Sequence, residues 1–291
     1  MKKQAYLIMA HGNFENLSNL IKSLDYKFHD IFVHIDKQVT TSSIPSFKKM
    51  VEHANIHVYQ KYKVSWGGYS QVLLQVDMLR TAYSYYNEYS YYHFLSGQDF
   101  PLHSPHKIYN SFEEKYPTNF IEIDNIFVRN KSNTEIIDRI NLYHPFFDLP
   151  KLHRGIKTRS DVFISCFQKI MGINRLQPTD MIGKGSNWAS ITDTLCSEVL
   201  QTFKSSDFKK KYANTRSADE IFMQTILINS KKEFVYLNDN MVYVDWVRGN
   251  PYTFTLNNIN ELKDIPTKMY VRKVSESLSS ELLKKIKEEK L

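Results

Sequence analysis

Cysteine is scarce in this chain of 291 residues: Cys166 and Cys196 stand alone, with no CxxC pair and no Cys/His cluster. That excludes a disulfide framework and a structural zinc site, and it suits a reducing compartment. Long apolar runs are missing as well. No stretch approaches the ~20 residues needed to span a bilayer, so any membrane contact is expected to be peripheral. The start, Met1-Lys2-Lys3-Gln4, is basic, but the apolar run that follows ends at Ala10 and meets His11-Gly12-Asn13. It reads as a first strand, not a signal peptide. GxGxxG, P-loop, GxSxG and HExxH patterns are all absent, which argues against a dinucleotide enzyme, an NTPase, an α/β-hydrolase and a zinc protease.

What is present is enough apolar material for a folded core, 42% of residues, with 19 Tyr and 18 Phe that suit interiors and clefts for flat-faced ligands. The net charge of +7 is compatible with nucleic acid, an anionic membrane or a phosphate-bearing substrate. Because the charge is dispersed and no recognition motif occurs, nucleic acid is not an expected partner. Short apolar runs at 5–10, 31–35, 56–59 and 91–95 alternate with amphipathic stretches at 15–24, 46–53 and 70–86. This alternation predicts an α/β domain with a largely parallel sheet. Ligands of such sheets sit beyond the carboxyl ends of the strands, which singles out His11-Gly12, Asp36-Lys37 and Gly97-Gln98-Asp99. Residues 125–183 lose the rhythm and carry Arg129, Lys131, Arg139, Lys151, Arg154, Lys157 and Arg159. They read as an irregular basic insertion between a nucleotide-binding half, 1–124, and an acceptor and catalytic half, 184–291. In the last part a strand is expected at 185–191, a helix from Asp193 to Phe203, short strands at 234–237 and 241–244, and a helix from about Ser279.

The most telling segment is 217–227, where Asp219 and Glu220 precede the apolar positions Ile221, Phe222, Ile226 and Leu227. That spacing predicts a helix with both carboxylates in its first turn, where the dipole favours negative charge. Such a carboxylate can cap the helix or act as a base, and the segment alone leaves both open. No Asp-x-Asp occurs, the pair with which many nucleotide-sugar transferases hold a divalent cation. If the chain handles a diphosphate, cations such as Arg248, Arg272 and Lys273 must neutralise it.

Eight segments in order resemble the core-2/I-branching β-1,6-N-acetylglucosaminyltransferase family, which includes the peptide O-xylosyltransferases. They lie at 5–11, 32–36, 64–70, 92–102, 185–188, 219–220, 243–246 and 270–273. The block Leu-Ser-Gly-Gln-Asp-Phe-Pro-Leu at 95–102 is the most distinctive. The resemblance, to a compact bacterial-type member, implies a GT-A-like Rossmann-type fold and inverting, metal-independent transfer from a UDP-sugar, with no cofactor and no metal site. It implies Glu220 as the catalytic base and Lys273, with Arg272 and Arg248, as contacts to the UDP diphosphate. Met9, Ala10, His11 and Asp36 then belong to the donor site, and Trp188, Asp219 and Trp246 to the sugar or acceptor. GlcNAc is the default sugar. The expected acceptor is a saccharide of surface-polysaccharide synthesis, lipid-linked at the cytoplasmic face of a membrane that the basic insertion touches. The alternative is a catalytically silent saccharide- or nucleotide-binding protein on the same fold. The stem, signal anchor and disulfides of the animal enzymes have no counterpart here, so their Golgi topology is not carried over.

Overall fold

A computed structural model describes residues 1–86, 88–128, 135–149, 152–177 and 180–289, with Val128 and Arg154 described by their backbone alone. Arg129, Lys131 and Lys151 lie outside the described residues. The strands are β1 (Gln4–Ala10), β2 (His29–Ile35), β3 (Asn55–Tyr59), β4 (Tyr91–Ser96), β5 (Asp99–Pro101) and β6 (Asn119–Ile121). They continue as β7 (Asn125–Val128), β8 (Met181–Lys184), β9 (Ala189–Thr192), β10 (Tyr236–Leu237), β11 (Val242–Val244) and β12 (Tyr270–Arg272). Seven form the central sheet in the order β10-β6-β9-β4-β1-β2-β3. All neighbours in it run parallel except β9, which is antiparallel to both β4 and β6.

The near-continuous apolar character of β1 follows from cover on both faces. Successive side chains of a strand point to opposite sides. Accordingly Ala5 and Leu7 pack with Val72, Val76 and Leu79 of the helix Tyr69–Tyr85. Tyr6, Ile8 and Ala10 pack instead with Leu17, Leu20 and Ile21 of the helix Phe14–Ser23. Polar residues in these strands are satisfied internally: Asp30 accepts from Lys3 Nζ at 2.7 Å, Asn55 Nδ2 at 2.8 Å and the Tyr89 hydroxyl at 2.6 Å. A second sheet, β11-β12-β5, closes one end over a separate apolar cluster that includes Phe100, Val271 and Leu282.

The structure corrects the expectation for residues 125–183. They contain β7 paired with β8 and the helices Glu135–Asn141 and Arg154–Ile170. The longer helix escaped the periodicity because its buried positions, Lys157, Asp161 and Gln168, are polar while much of its exposed face is apolar. The amphipathic stretch 46–53 forms only the short 3-10 turn Phe47–Met50. The helix Asp193–Phe203 lies on its expected bounds. β9 also ties the last third of the chain into the middle of the first sheet, so the sequence-based segments share one core.

Candidate active site

β1, β2 and β4 all end at one edge of the sheet, delivering Ala10-His11, Asp36 and Ser96 to the same rim. Because β9 runs the other way, its start lies at that edge, and Asn187 and Trp188 join the rim from there. A cavity of about 1300 Å³ opens beyond it. Small-ligand pockets usually measure roughly 300–1,000 Å³, so there is room for a donor and part of an acceptor together.

Met9, Ala10, His11, Asp36, Trp188, Asp219, Glu220, Trp246 and Arg272, all singled out from the sequence, line this cavity. Arg248 and Lys273 do not. The Arg248 guanidinium is held by Asp245 and Glu261 and lies over the Tyr252 ring, 4.4 Å from its centroid. Lys273 directly follows Arg272, and its backbone N–H donates to Tyr252 O at 3.3 Å. The Asp36 carboxylate is spent on local backbone, with Oδ1 accepting from Gln38 N at 2.7 Å and Oδ2 from Val64 N at 2.9 Å. It shapes the floor of the site. His34, another lining residue, accepts from Lys61 N and Tyr62 N through Nε2, and burial pulls its imidazole down to about 4. It is neutral at physiological pH.

Asp99 holds one wall. Fully buried, it accepts from Ser96 N at 2.6 Å, from Trp188 Nε1 at 3.0 Å and from Arg272 Nη1 at 2.9 Å. Arg272 also donates to Ser96 Oγ and lies over the Trp188 ring, 4.3 Å from its centroid, and its Nε has no hydrogen-bond partner among the described residues. A carboxylate fixing both an indole and a guanidinium makes a rigid, cation-bearing surface.

The acidic pair holds another wall, with a different local structure from the one expected. Asp219 and Glu220 sit on a separate 3-10 turn, Ala218–Glu220, ahead of the helix Phe222–Asn229. Ser217, in the left-handed region with φ 51°, turns the chain into it, and no side chain caps the helix. Long-range bonds pin this turn. Ser217 N donates to Gly67 O at 2.8 Å and Gly185 N to Glu220 O at 3.0 Å. Gly185 admits no other residue, since a Cβ there would lie 1.8 Å from Glu122 O. Asp219 Oδ2 accepts from Gln71 Nε2 at 3.0 Å and Asn187 Nδ2 at 3.1 Å, while its buried Oδ1 has no hydrogen-bond partner among the described residues. Glu220, its side chain 37% exposed, receives Arg139 Nη1 on Oε2 at 3.0 Å.

Burial, and then the charge of Glu220, push the Asp219 carboxyl up to about 7. An unfolded Asp releases its proton near pH 4, about three units earlier. The folded chain therefore binds more protons across that window, and the stability present below pH ~4 is lost as pH rises towards 7. Asp219→Asn removes this titration. The Tm of wild type relative to that variant is expected to fall between about pH 4 and 7 and to level off above it, as measured by thermal melts across the range. Parallel pH slopes would sink the assignment.

Several lining residues were not foreseen. Glu122 and Asp124 follow the end of β6, a short strand absent from the periodicity reading, though the strand-end rule would have found them had it been recognised. Asp124 pairs with Lys184 at 2.7 Å and Asp239 with Lys268 at 2.7 Å, while burial and then Asp124 push Glu122 up. Arg139 had been grouped with the basic insertion. Its place on Glu220 has no local sequence signal.

Fold and cavity together define an α/β protein with a wide cleft beyond the carboxyl ends of its parallel strands. The chain belongs to the core-2/I-branching enzyme family, whose model matches residues 4–283. It is thus a glycosyltransferase with a nucleotide-sugar donor and a saccharide acceptor, on the GT-A-like fold expected. Among curated proteins none matches the chain.

 Solved structures similar to the chain include mouse xyloside xylosyltransferase 1 in its apo form, 9% identical, covering 93% of this chain and 97% of that one with a TM-score of 0.42. They also include 4-diphosphocytidyl-2C-methyl-D-erythritol synthase from Anaerococcus prevotii, 9% identical, covering 81% of this chain and 86% of that one with a TM-score of 0.41. At these scores neither likeness adds to the family assignment.

Proposed function

We propose that the protein is an inverting glycosyltransferase that moves a sugar, GlcNAc by default, from a UDP-sugar to a saccharide hydroxyl with β-linkage and without a divalent metal. The observation that carries this reading is the placement of Glu220. Glu220 lines the cavity on a turn pinned by backbone bonds, and Arg272 lines the same cavity. In the proposed step Glu220 takes the proton of the acceptor hydroxyl as that oxygen attacks the anomeric carbon. The bond to the UDP oxygen breaks on the opposite face, which inverts the configuration. Arg139 orients the carboxylate, and Asp219 holds the turn to Gln71 and Asn187. Arg272, with Lys273 beside it, opposes the charge on the departing diphosphate. Arg248 takes no part while Asp245 and Glu261 hold it.

Assembly of a bacterial surface polysaccharide fits this chemistry as the proposed setting. The test is release of UDP from a panel of UDP-sugars in the presence of saccharide acceptors. Acceptor-dependent release that survives EDTA is the expected result. Activity abolished by the chelator and restored by manganese would overturn the metal-free mechanism, and donor binding without turnover on any acceptor would favour a silent binding protein. Lys273→Ala is expected to weaken UDP binding about 10- to 100-fold, the loss of one charge-assisted contact, as read by calorimetric titration. Unchanged affinity would remove Lys273 from the donor site.

A further inference from the structure

The helix Arg154–Ile170 is built inside out. Lys157, Asp161 and Gln168 are buried, and each has polar partners: Lys157 donates to Ser65 Oγ and to Phe147 O at 3.2 Å, Asp161 bonds His144 and Arg216, and Gln168 bonds the Tyr143 backbone. The outer face is apolar. Ile156, Phe163, Phe167 and Ile170, separated by seven, four and three residues, form one stripe and are 53%, 76%, 58% and 83% exposed. Val162 and Met171 extend it. The inner polar bonds hold the helix in place whatever the stripe meets, and a contiguous apolar patch of this kind marks an interaction surface.

Charge says which surface. The only acidic residue of the helix is Asp161, which is buried, whereas Arg159 and Lys169 are exposed. Lys169 is paired with Asp138 of the neighbouring helix. The charged side chains described on the outer face of the helix are therefore cationic, on a chain of net charge +7. A second copy fits this face poorly. Two-fold antiparallel pairing centred between Phe163 and Phe167 would bring Arg159 of one copy into the neighbourhood of Lys169 of the other, whose charge Asp138 already takes up, so the pairing gives Arg159 no carboxylate of its own. An anionic surface supplies the partner that Arg159 lacks among the described residues.

We propose that this helix docks the protein on an anionic lipid surface, its apolar stripe entering the headgroup boundary. Seven basic residues were expected to make that contact, and the structure reassigns two of them: Arg139 is committed to Glu220, and Lys157 is buried. Apolar insertion takes the place of a purely electrostatic hold. The docked helix stands close to the site. Lys157 is bonded to Ser65, next to the cavity-lining Trp66, and Asp161 is bonded to Arg216, next to the turn that carries Glu220. Docking would set the cavity beside the membrane, where an acceptor carried in lipid can reach it.

The experiment is vesicle flotation of the whole chain with phosphatidylcholine alone and with phosphatidylcholine mixed with phosphatidylglycerol. Wild type is expected to float with the anionic vesicles and to be released only in part by high salt, because salt screens charge and leaves apolar insertion. Phe163→Gln with Phe167→Gln should reduce flotation at least about tenfold, the effect of withdrawing two phenyl groups from an apolar boundary. Ile170→Gln, at the last residue of the helix, should act in the same direction. A UDP-induced thermal shift equal to wild type shows that the variants keep the fold and the site. No flotation of wild type, or equal flotation of wild type and the double variant, overturns the proposal. So does light scattering that finds a dimer which the double variant dissociates, since the face then belongs to a second copy. Vesicle binding requires neither donor nor turnover, so its failure is separate from failure of the transferase reading.

Discussion

Glu220→Gln is expected to lower turnover by about 100- to 10,000-fold while UDP affinity stays within a few-fold, because a positioned base acts in the chemical step and not in donor binding. The substitution keeps the size of the side chain and removes its basicity. The turn is held by backbone bonds, Gly185 N to Glu220 O at 3.0 Å and Glu220 N to Ser217 O at 3.1 Å, which do not involve the carboxylate. Local geometry should therefore survive, although Arg139 loses its 3.0 Å ion pair. Turnover and UDP titration on the same preparation separate the two effects. A Gln variant with near-normal turnover on the true acceptor takes the catalytic role away from Glu220.

Asp99→Ala is expected to have the largest effect on stability. Asp99 is fully buried and joins Ser96, Trp188 and Arg272. Removing one partner of a buried ion pair leaves the other charge uncompensated and costs about 3–5 kcal/mol. For a chain of this size that corresponds to a fall in Tm on the order of 10 °C. The same change frees Trp188 and Arg272, so UDP affinity should drop with it. Asp99→Asn keeps an acceptor oxygen for Trp188 and should fall between wild type and Ala in a thermal melt. A Tm for the Ala variant within about 2 °C of wild type would show that the wall is held by something else.

Much of the first half of the fold was legible because its elements are local. The strand at 5–10 needs only alternating cover from two helices, and Leu17, Leu20 and Ile21 announce one of them at helical spacing. Once the strands were placed, the strand-end rule put His11, Asp36 and Asp99 at the rim without any knowledge of the rest. The acidic pair was found by its residue types, but its structure was misread. Ser217 adopts a left-handed conformation to meet Gly67, a contact 150 positions away in the chain that no local pattern encodes.

Residue order by itself determined the class of fold, the edge of the sheet where the cavity opens, and the carboxylates and cations available there, since periodicity and motif spacing are properties of neighbouring residues. Tertiary structure alone decided which of those groups are free to act. Arg248 is engaged by Asp245 and Glu261, Asp36 by the backbone of its loops, and Arg139, which lies in the segment read as irregular, by Glu220. Tertiary structure also turned the helix Arg154–Ile170 so that its polar residues face in and its apolar ones face out. Each of these outcomes depends on partners distant in sequence, and the energy of a buried charge or an exposed apolar face is set by what lies across from it.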